Sequence, residues 1–330
     1  MRPVPPRLWL FCLLTLSLCA GLGVWALTQG AVTLDASQVV EALSGHAPRN
    51  VSLIVTEWRL PRVTMALLLG AALGVSGAIF QSLMRNPLGS PDVMGFNTGA
   101  WSGVLVAMVL AGQHQTAIAF SAVAGGMATA FIVWLLAWRN GIDTFRLIII
   151  GIGVRAMLVA FNIWLLLQAS LETALSAGLW NAGSLNGITW GKTLPRRPAV
   201  AAGVAASALL VRRMRLLEMG DDSACALGVS VERSRLLLML TGVILTAGAT
   251  AMAGPISFIA LVAPHIARRV SGTARFGLTQ AALCGALLLL GADLCAQYLF
   301  KPYQLPVGTV TVCLGGIYLI ALLLQESRKR

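Results

Sequence analysis

The chain has 330 residues, 57% of them hydrophobic and 11% charged, with 24 Lys and Arg against 12 Asp and Glu and a formal charge of +12. Soluble domains carry roughly a quarter charged residues, so this composition excludes a water-soluble globular protein and points to a chain embedded in a membrane. The basic residues sit in short clusters at the ends of apolar runs, with no RNA- or DNA-binding module between them, so the charge serves to orient spans and not to bind nucleic acid.

The N-terminus sets Arg2 and Arg7 before an apolar run from Leu8 to Leu27. That run is longer than the roughly 7–15 apolar residues of a signal peptide, and Leu18 precedes Cys19 where a lipoprotein signal needs a small residue, so it is expected to stay as the first span. Further clear spans are Val63–Leu83, Thr116–Trp138, Phe145–Ala169, Leu236–Ala253, Leu278–Leu299 and Val307–Leu324. Three weaker runs follow the same logic: glycine-rich Val93–Leu110, Leu194–Val211 behind Pro195 and Pro198, and short Ser257–Ala267, broken by Pro264. The pattern predicts eight to ten spans in a single all-α membrane domain over residues 1–330, and ten is the reading adopted.

Ten spans with a cytoplasmic N-terminus put sixteen Lys and Arg on the inner side, in the termini and the loops at 85–92, 139–144, 212–235 and 268–277. The outer side holds seven: Arg49, Arg59, Arg62, Lys192, Arg196, Arg197 and Lys301. This asymmetry fixes the expected orientation, with both termini inside and Arg59 and Arg62 outside.

Two connections are long. The outer one, from Thr28 to Trp58, predicts a short surface helix capped by Thr33 with Leu34, Val39, Val40 and Leu43 on its apolar side. The inner one, Arg212 to Arg235, predicts a compact elbow: Asp221 or Asp222 caps a turn running through Leu227, Gly228 ends it, and Ser230 caps the next span.

Candidate chemistry is sparse. "GKT" at 191–193 lacks the glycine a phosphate-binding loop needs at 186, which is Asn186, so the chain is not expected to bind nucleotide itself. The six cysteines form no CxxC pair, which argues against a metal site or a disulfide framework. Inside the spans only Arg155, Asp293 and His265 ionise, too few for the relay of a proton-driven carrier. Asp293 reads as structural pairing or a polar lumen residue, and Arg155 must face a neighbouring helix or water. Small residues at 70–78, 99–103 and 247–254 let helices pack closely, or line a path for a bulky cargo with backbone and small side chains.

Four segments together resemble one family, over about residues 8–326 in order. "EWRLPRVTMALLLGAALGVSGAIFQSLMRNPLGSPDVMGFNTGA", "GDDSACALGV", "GPISFIALVAPHIARR" and "LPVGTVTVCLGGIYLIALLL" are similar to stretches of the iron-siderophore and vitamin B12 permeases of bacterial ABC importers. "NPLGSPDVMGFNTGAWSGVLVAMVL" and "GLWNAGSLNG" carry a narrower likeness to the ferric enterobactin type. The resemblance implies ten helices per subunit with an inverted pseudo-repeat, faintly visible in "GVSGAIF" and "AMAGPISF", and a path at the interface of two permease subunits. It implies as partners a second, different permease subunit, two copies of a cytoplasmic ATPase that uses the ATP, and a periplasmic siderophore-binding protein, in a bacterial inner membrane. The cargo implied is ferric enterobactin or a related catecholate, with another iron chelate, haem or vitamin B12 as the alternative. The chain itself would be non-catalytic and bind no cofactor.

The resemblance also assigns residues. Arg59 and Arg62 match an outer motif that meets acidic residues of the binding protein, and Pro61 in a first helical turn would hold both guanidiniums at the rim. Snorkelling toward lipid phosphates is the competing reading. A further basic position of the family falls on Gln297 here, with Lys301 as the nearby substitute. Asp221, Asp222, Ala226, Leu227, Gly228 and Val229 match the segment that seats in the ATPase, against an ordinary capped turn. Lys192, Arg196 and Arg197 would ease passage of an anionic cargo, or simply snorkel. A proton-coupled secondary carrier and a non-transporting sensor are the readings from other classes.

Overall fold

The computed structural model describes residues 6–112, 114–138, 144–193, 197–273 and 277–327, and all its regular elements are helical. In chain order they are α1 (Pro6–Thr28), α2 (Ala36–Leu43), α3 (Arg49–Ser52), a π-helical turn (Leu53–Arg59), α4 (Leu60–Met84), α5 (Phe96–Ala111), α6 (Gln115–Ala137) and α7 (Thr144–Gln168). The second half holds α8 (Leu171–Asn181), α9 (Trp190–Thr193), α10 (Arg197–Glu218), α11 (Asp221–Ala226), α12 (Val231–Ala253), α13 (Ile259–Ser271), α14 (Leu278–Tyr298) and α15 (Val307–Ser327). Among the described residues, six helices are long and apolar enough to cross a membrane: α1, the continuous run Arg49–Met84, α6, α7, α12 and α14. The other expected spans fall on α5 and on α15, whose apolar stretch Val307–Leu322 is shorter, on arginine-flanked α10, and on 13-residue α13.

α4 and α12 form the centre, with 72% of their apolar windows covered by the rest of the chain, against 22% for α7 at the edge. α4 packs on α14, α12, α13 and α10. Small residues make the closest of these approaches possible. A Cβ on Gly70 would lie 2.4 Å from the Gly285 carbonyl oxygen, and one on Gly285 would lie 2.2 Å from that of Gly70. In lipid such contact replaces the hydrophobic effect as the force between helices.

α13 shows how a broken helix survives at membrane depth. Pro264 has no N–H and its ring displaces the preceding turn, which weakens the hydrogen-bond ladder at Ala260 and Leu261. The buried Gln81 side chain of α4 donates to the Leu261 carbonyl at 2.8 Å, supplying the partner that water cannot.

Three boundaries differ from the sequence reading. The second span begins earlier, because its helix runs out through α3 and the π-helical turn; Pro61 cannot donate to the turn before it, and the wider i→i+5 turn accommodates that loss. α2 is capped by Asp35, not Thr33: the Gln38 side chain accepts the Asp35 N–H at 3.0 Å in a capping box. Its buried face is Val39 and Ala42, with Leu34 beside it, while Val40 and Leu43 are exposed. Finally, α10 continues to Glu218, past the expected start of the elbow at Arg212, while α12 begins at Val231 behind Ser230, the cap position expected for it. The inner connections at 139–143 and 274–276, and Arg196, lie outside the described residues.

Candidate functional site

At the N-terminal end of α4, expected to face outward, the π-helical turn delivers Arg59 and α4 delivers Arg62. Arg59 donates to the Leu27 carbonyl at 2.7 Å and to that of Val32, so it caps the C-terminus of α1, where open carbonyls and the helix dipole favour a cation. Gly30 leaves room for it: a Cβ there would lie 2.5 Å from the guanidinium. Arg62 grips Asp293 of α14 through two hydrogen bonds, from Nε at 2.9 Å and from a terminal nitrogen at 2.8 Å. Gln297, one turn along α14, donates to the same carboxylate at 2.7 Å. Asp293 is thus a paired structural residue. Lys301 sits over the ring of Tyr298 at 4.4 Å, and Tyr298 lies within the electrostatic reach of both arginines. The three expected docking residues therefore converge on Tyr298, with the two arginines already engaged inside the chain and Lys301 exposed.

The elbow between α10 and α12 is tied to the C-terminal end of α4. Arg85, in the left-handed conformation that ends α4, donates to Asp221 at 2.6 Å and to the Leu217 carbonyl at 3.0 Å. Arg235 of α12 donates to both oxygens of Asp221 at 3.0 and 2.9 Å. Ser82 donates to Glu218 at 2.9 Å. Neither Asp221 nor Asp222 is the cap of α11; Gly220 holds that place with φ 112, and both acids lie in the first turn, where the dipole favours them. Leu227 closes α11 and is 60% exposed, between exposed Ala226 and Gly228, the latter with φ 78. Val229 turns inward onto the core. Of the six expected coupling residues, Asp221 and Val229 fix the elbow, and Asp222, Ala226, Leu227 and Gly228 form its exposed tip.

Between these ends lies a cavity of about 580 Å³, walled by α5, α7, the end of α8, residues 255–257 and α15. Among the described residues no charged one lines it; its polar groups include Asn97, Thr98, Asn162, Asn181, Ser257 and Thr309, beside Trp101, which stacks on Trp180 at 5.5 Å. Asn162 is 4% exposed, and neither its amide oxygen nor its nitrogen has a partner among the described residues. A polar group so placed faces either the cavity or another chain. Just before α5, Asp92 accepts from the Asn97 amide and, at 3.4 Å, from the Phe258 N–H, so its carboxylate joins the first turn of α5 to the start of α13. Thr250 donates to the Asn97 oxygen at 2.9 Å. The backbone and Cβ of Arg155 pack against Gly95, and its side chain is exposed. Asp92 and Asn162 were missed in the sequence; the doubled helix starts "NPLGSPDVMGF" and "GPISF" were the available signal. His265, the third ionisable residue expected within the spans, pairs with the Tyr318 hydroxyl at 2.6 Å. "GKT" falls on the single turn α9.

Residues 16–325 match the model of the FecCD transport family. This chain belongs to the FecCD transport family. Among its relatives, the ferric enterobactin transport system permease protein FepG of Escherichia coli K12 is 78% identical over 327 residues, 99% of each chain. The achromobactin transport system permease protein CbrC of Dickeya dadantii is 36% identical, covering 95% of this chain and 90% of its own. The hemin transport system permease protein HmuU of Yersinia pestis is 35% identical, covering 99% and 98%. Among solved structures, an inward-facing metal-chelate type ABC transporter matches with a TM-score of 0.82 at 26% identity, over 96% of this chain and 99% of that one. This FecCD protein is a multi-pass membrane permease, a transport component of ABC-importer type.

Proposed function

We propose that this chain is one of two permease subunits that move ferric enterobactin, or a closely related catecholate chelate, across a bacterial inner membrane. The observation that supports it most is the 78% identity to the ferric enterobactin permease over 99% of both chains. The cavity adds a physical reason. Its amides, hydroxyls and tryptophan suit the catechol amides of such a cargo, and a lining without fixed charge would not trap an anionic complex in transit. α7 and α15, which wall it, carry exposed apolar residues such as Phe161, Ile163 and Ile317, a face for a second, homologous permease subunit.

In this reading the single domain spans the membrane ten times with both termini in the cytoplasm. The tip Asp222, Ala226, Leu227 and Gly228, braced by Asp221 and Val229, seats in a cytoplasmic ATPase, two copies of which hydrolyse the ATP; this chain is non-catalytic and carries no cofactor. A periplasmic siderophore-binding protein docks on the rim around Tyr298. Lys301 offers it a free-standing charge, while Arg59 and Arg62 add their field from positions held within the chain. Arg62 paired with Asp293 and His265 paired with Tyr318 leave little for a proton relay, which favours ATP-driven transport over a proton-coupled carrier.

Reconstitution tests the proposal. Proteoliposomes holding this chain, its partner permease and the ATPase, supplied with the binding protein, should accumulate ferric enterobactin only with ATP inside the compartment the ATPase faces. Uptake that follows an imposed proton gradient without ATP would overturn it.

A further inference from the structure

A groove of about 660 Å³ runs between α1 and α10, floored by α4 and the start of α14. One wall is a single face of α10: Val204, Ser207, Ala208, Val211 and Arg215. The other is Leu8, Trp9 and Cys12 of α1. The Ser207 hydroxyl is turned back onto the Val204 carbonyl at 2.6 Å, so this wall presents an apolar surface until it reaches Arg215. Arg215 is exposed and, among the described residues, is the one charged residue in the lining and takes part in no ion pair.

The dimensions decide the occupant. Eleven residues separate Val204 from Arg215, about 16 Å of helix. Half of a hydrocarbon core of about 30 Å is about the same length. The groove is thus as long as one leaflet is deep, mainly apolar with Thr279 and Gln280 on its floor, and cationic at one end. The opposite wall carries Trp9, a residue type enriched at headgroup level. A packed protein helix would cover Arg215 with apolar side chains and leave its charge unpaired, which is unfavourable. A lipid phosphate neutralises it.

We propose that this groove is a binding site for an anionic glycerophospholipid, with one acyl chain between α1 and α10 and the phosphate on Arg215. The inference rests on the reading of the chain as a membrane permease and not on its cargo.

The test is native mass spectrometry of the full chain, with its partner subunits, extracted from nanodiscs of equal phosphatidylglycerol and phosphatidylethanolamine. The wild type should retain one phosphatidylglycerol at this site with roughly fivefold or greater preference, the effect of one basic residue near an anionic headgroup. Arg215→Gln should abolish the preference, Arg215→Lys should keep most of it, and Ala208→Trp should fill the groove and expel the lipid. Thermal melting of each variant in the same detergent separates loss of the site from loss of the fold. Equal retention of the two lipids by the wild type, an unchanged preference in Arg215→Gln, or a co-purified peptide in place of lipid would each overturn the proposal. Transport is not read, so failure of the cargo assignment would leave this result standing, and the reverse.

Discussion

Arg62 and Asp293, 231 positions apart, join α4 to α14 by a two-pronged ion pair with side chains only 16% and 2% exposed. A buried pair of this kind is costly to break from one side, because the remaining charge has no water to return to, and the loss is about 3–5 kcal/mol. Asp293→Asn or Arg62→Gln should therefore lower the melting temperature of the detergent-solubilised protein by several degrees. Replacing both, as Arg62→Met with Asp293→Leu, should recover most of the loss. A double variant no more stable than either single one would show that the two residues do not act as a pair.

Asn162 gives the opposite expectation. Its amide is buried without a partner, so Asn162→Leu removes an unsatisfied group and should leave stability unchanged or raised. If the amide serves the cargo, uptake should fall while assembly with the partner permease is kept. Lower stability without the cargo present would mean that the amide is satisfied across the subunit interface instead.

These two sites mark the limit of what the sequence discloses. Apolar run length reveals most of the spans, since a helix that crosses hydrocarbon must satisfy its own backbone, and α1, α7, α12 and α14 fall close to where their runs predict. The glycine clusters are legible as close contacts, and Gly70 against Gly285 is one. Pairings are not legible. Nothing local says that Asp293 faces Arg62, that Arg59 closes α1, or that Asp92 joins the starts of α5 and α13, because each depends on how distant helices lie side by side. The elbow shows the intermediate case: its residues were found, but the aspartates expected to cap the helix lie in its first turn, and Asp221 is taken by Arg85 and Arg235.

Leu227 stands 60% exposed at the tip of that elbow. Leu227→Glu should leave membrane insertion and thermal stability unchanged while abolishing uptake and lowering ATP hydrolysis stimulated by the binding protein. The paired measurement is ATPase rate against uptake in proteoliposomes. Normal uptake would remove the elbow from the coupling path.

Lys301 isolates docking from folding. Its one contact of note is the Tyr298 ring, worth about 0.5–1 kcal/mol at an exposed position. Lys301→Glu should weaken association with the binding protein by roughly tenfold, the effect of about 1.4 kcal/mol, and more so at low salt. Arg59→Glu should also weaken it but lower stability as well, since it opens the end of α1. Unaltered association in Lys301→Glu would place the docking surface elsewhere.

The most direct measurement is iron uptake in cells lacking only this chain and holding no second importer for the same cargo. Radioactive iron would be given as enterobactin, as a hydroxamate and as citrate, with labelled vitamin B12 alongside. Loss of enterobactin uptake alone, restored by the wild-type chain, is the expected result. Enterobactin uptake that continues unchanged in those cells would contradict the assignment.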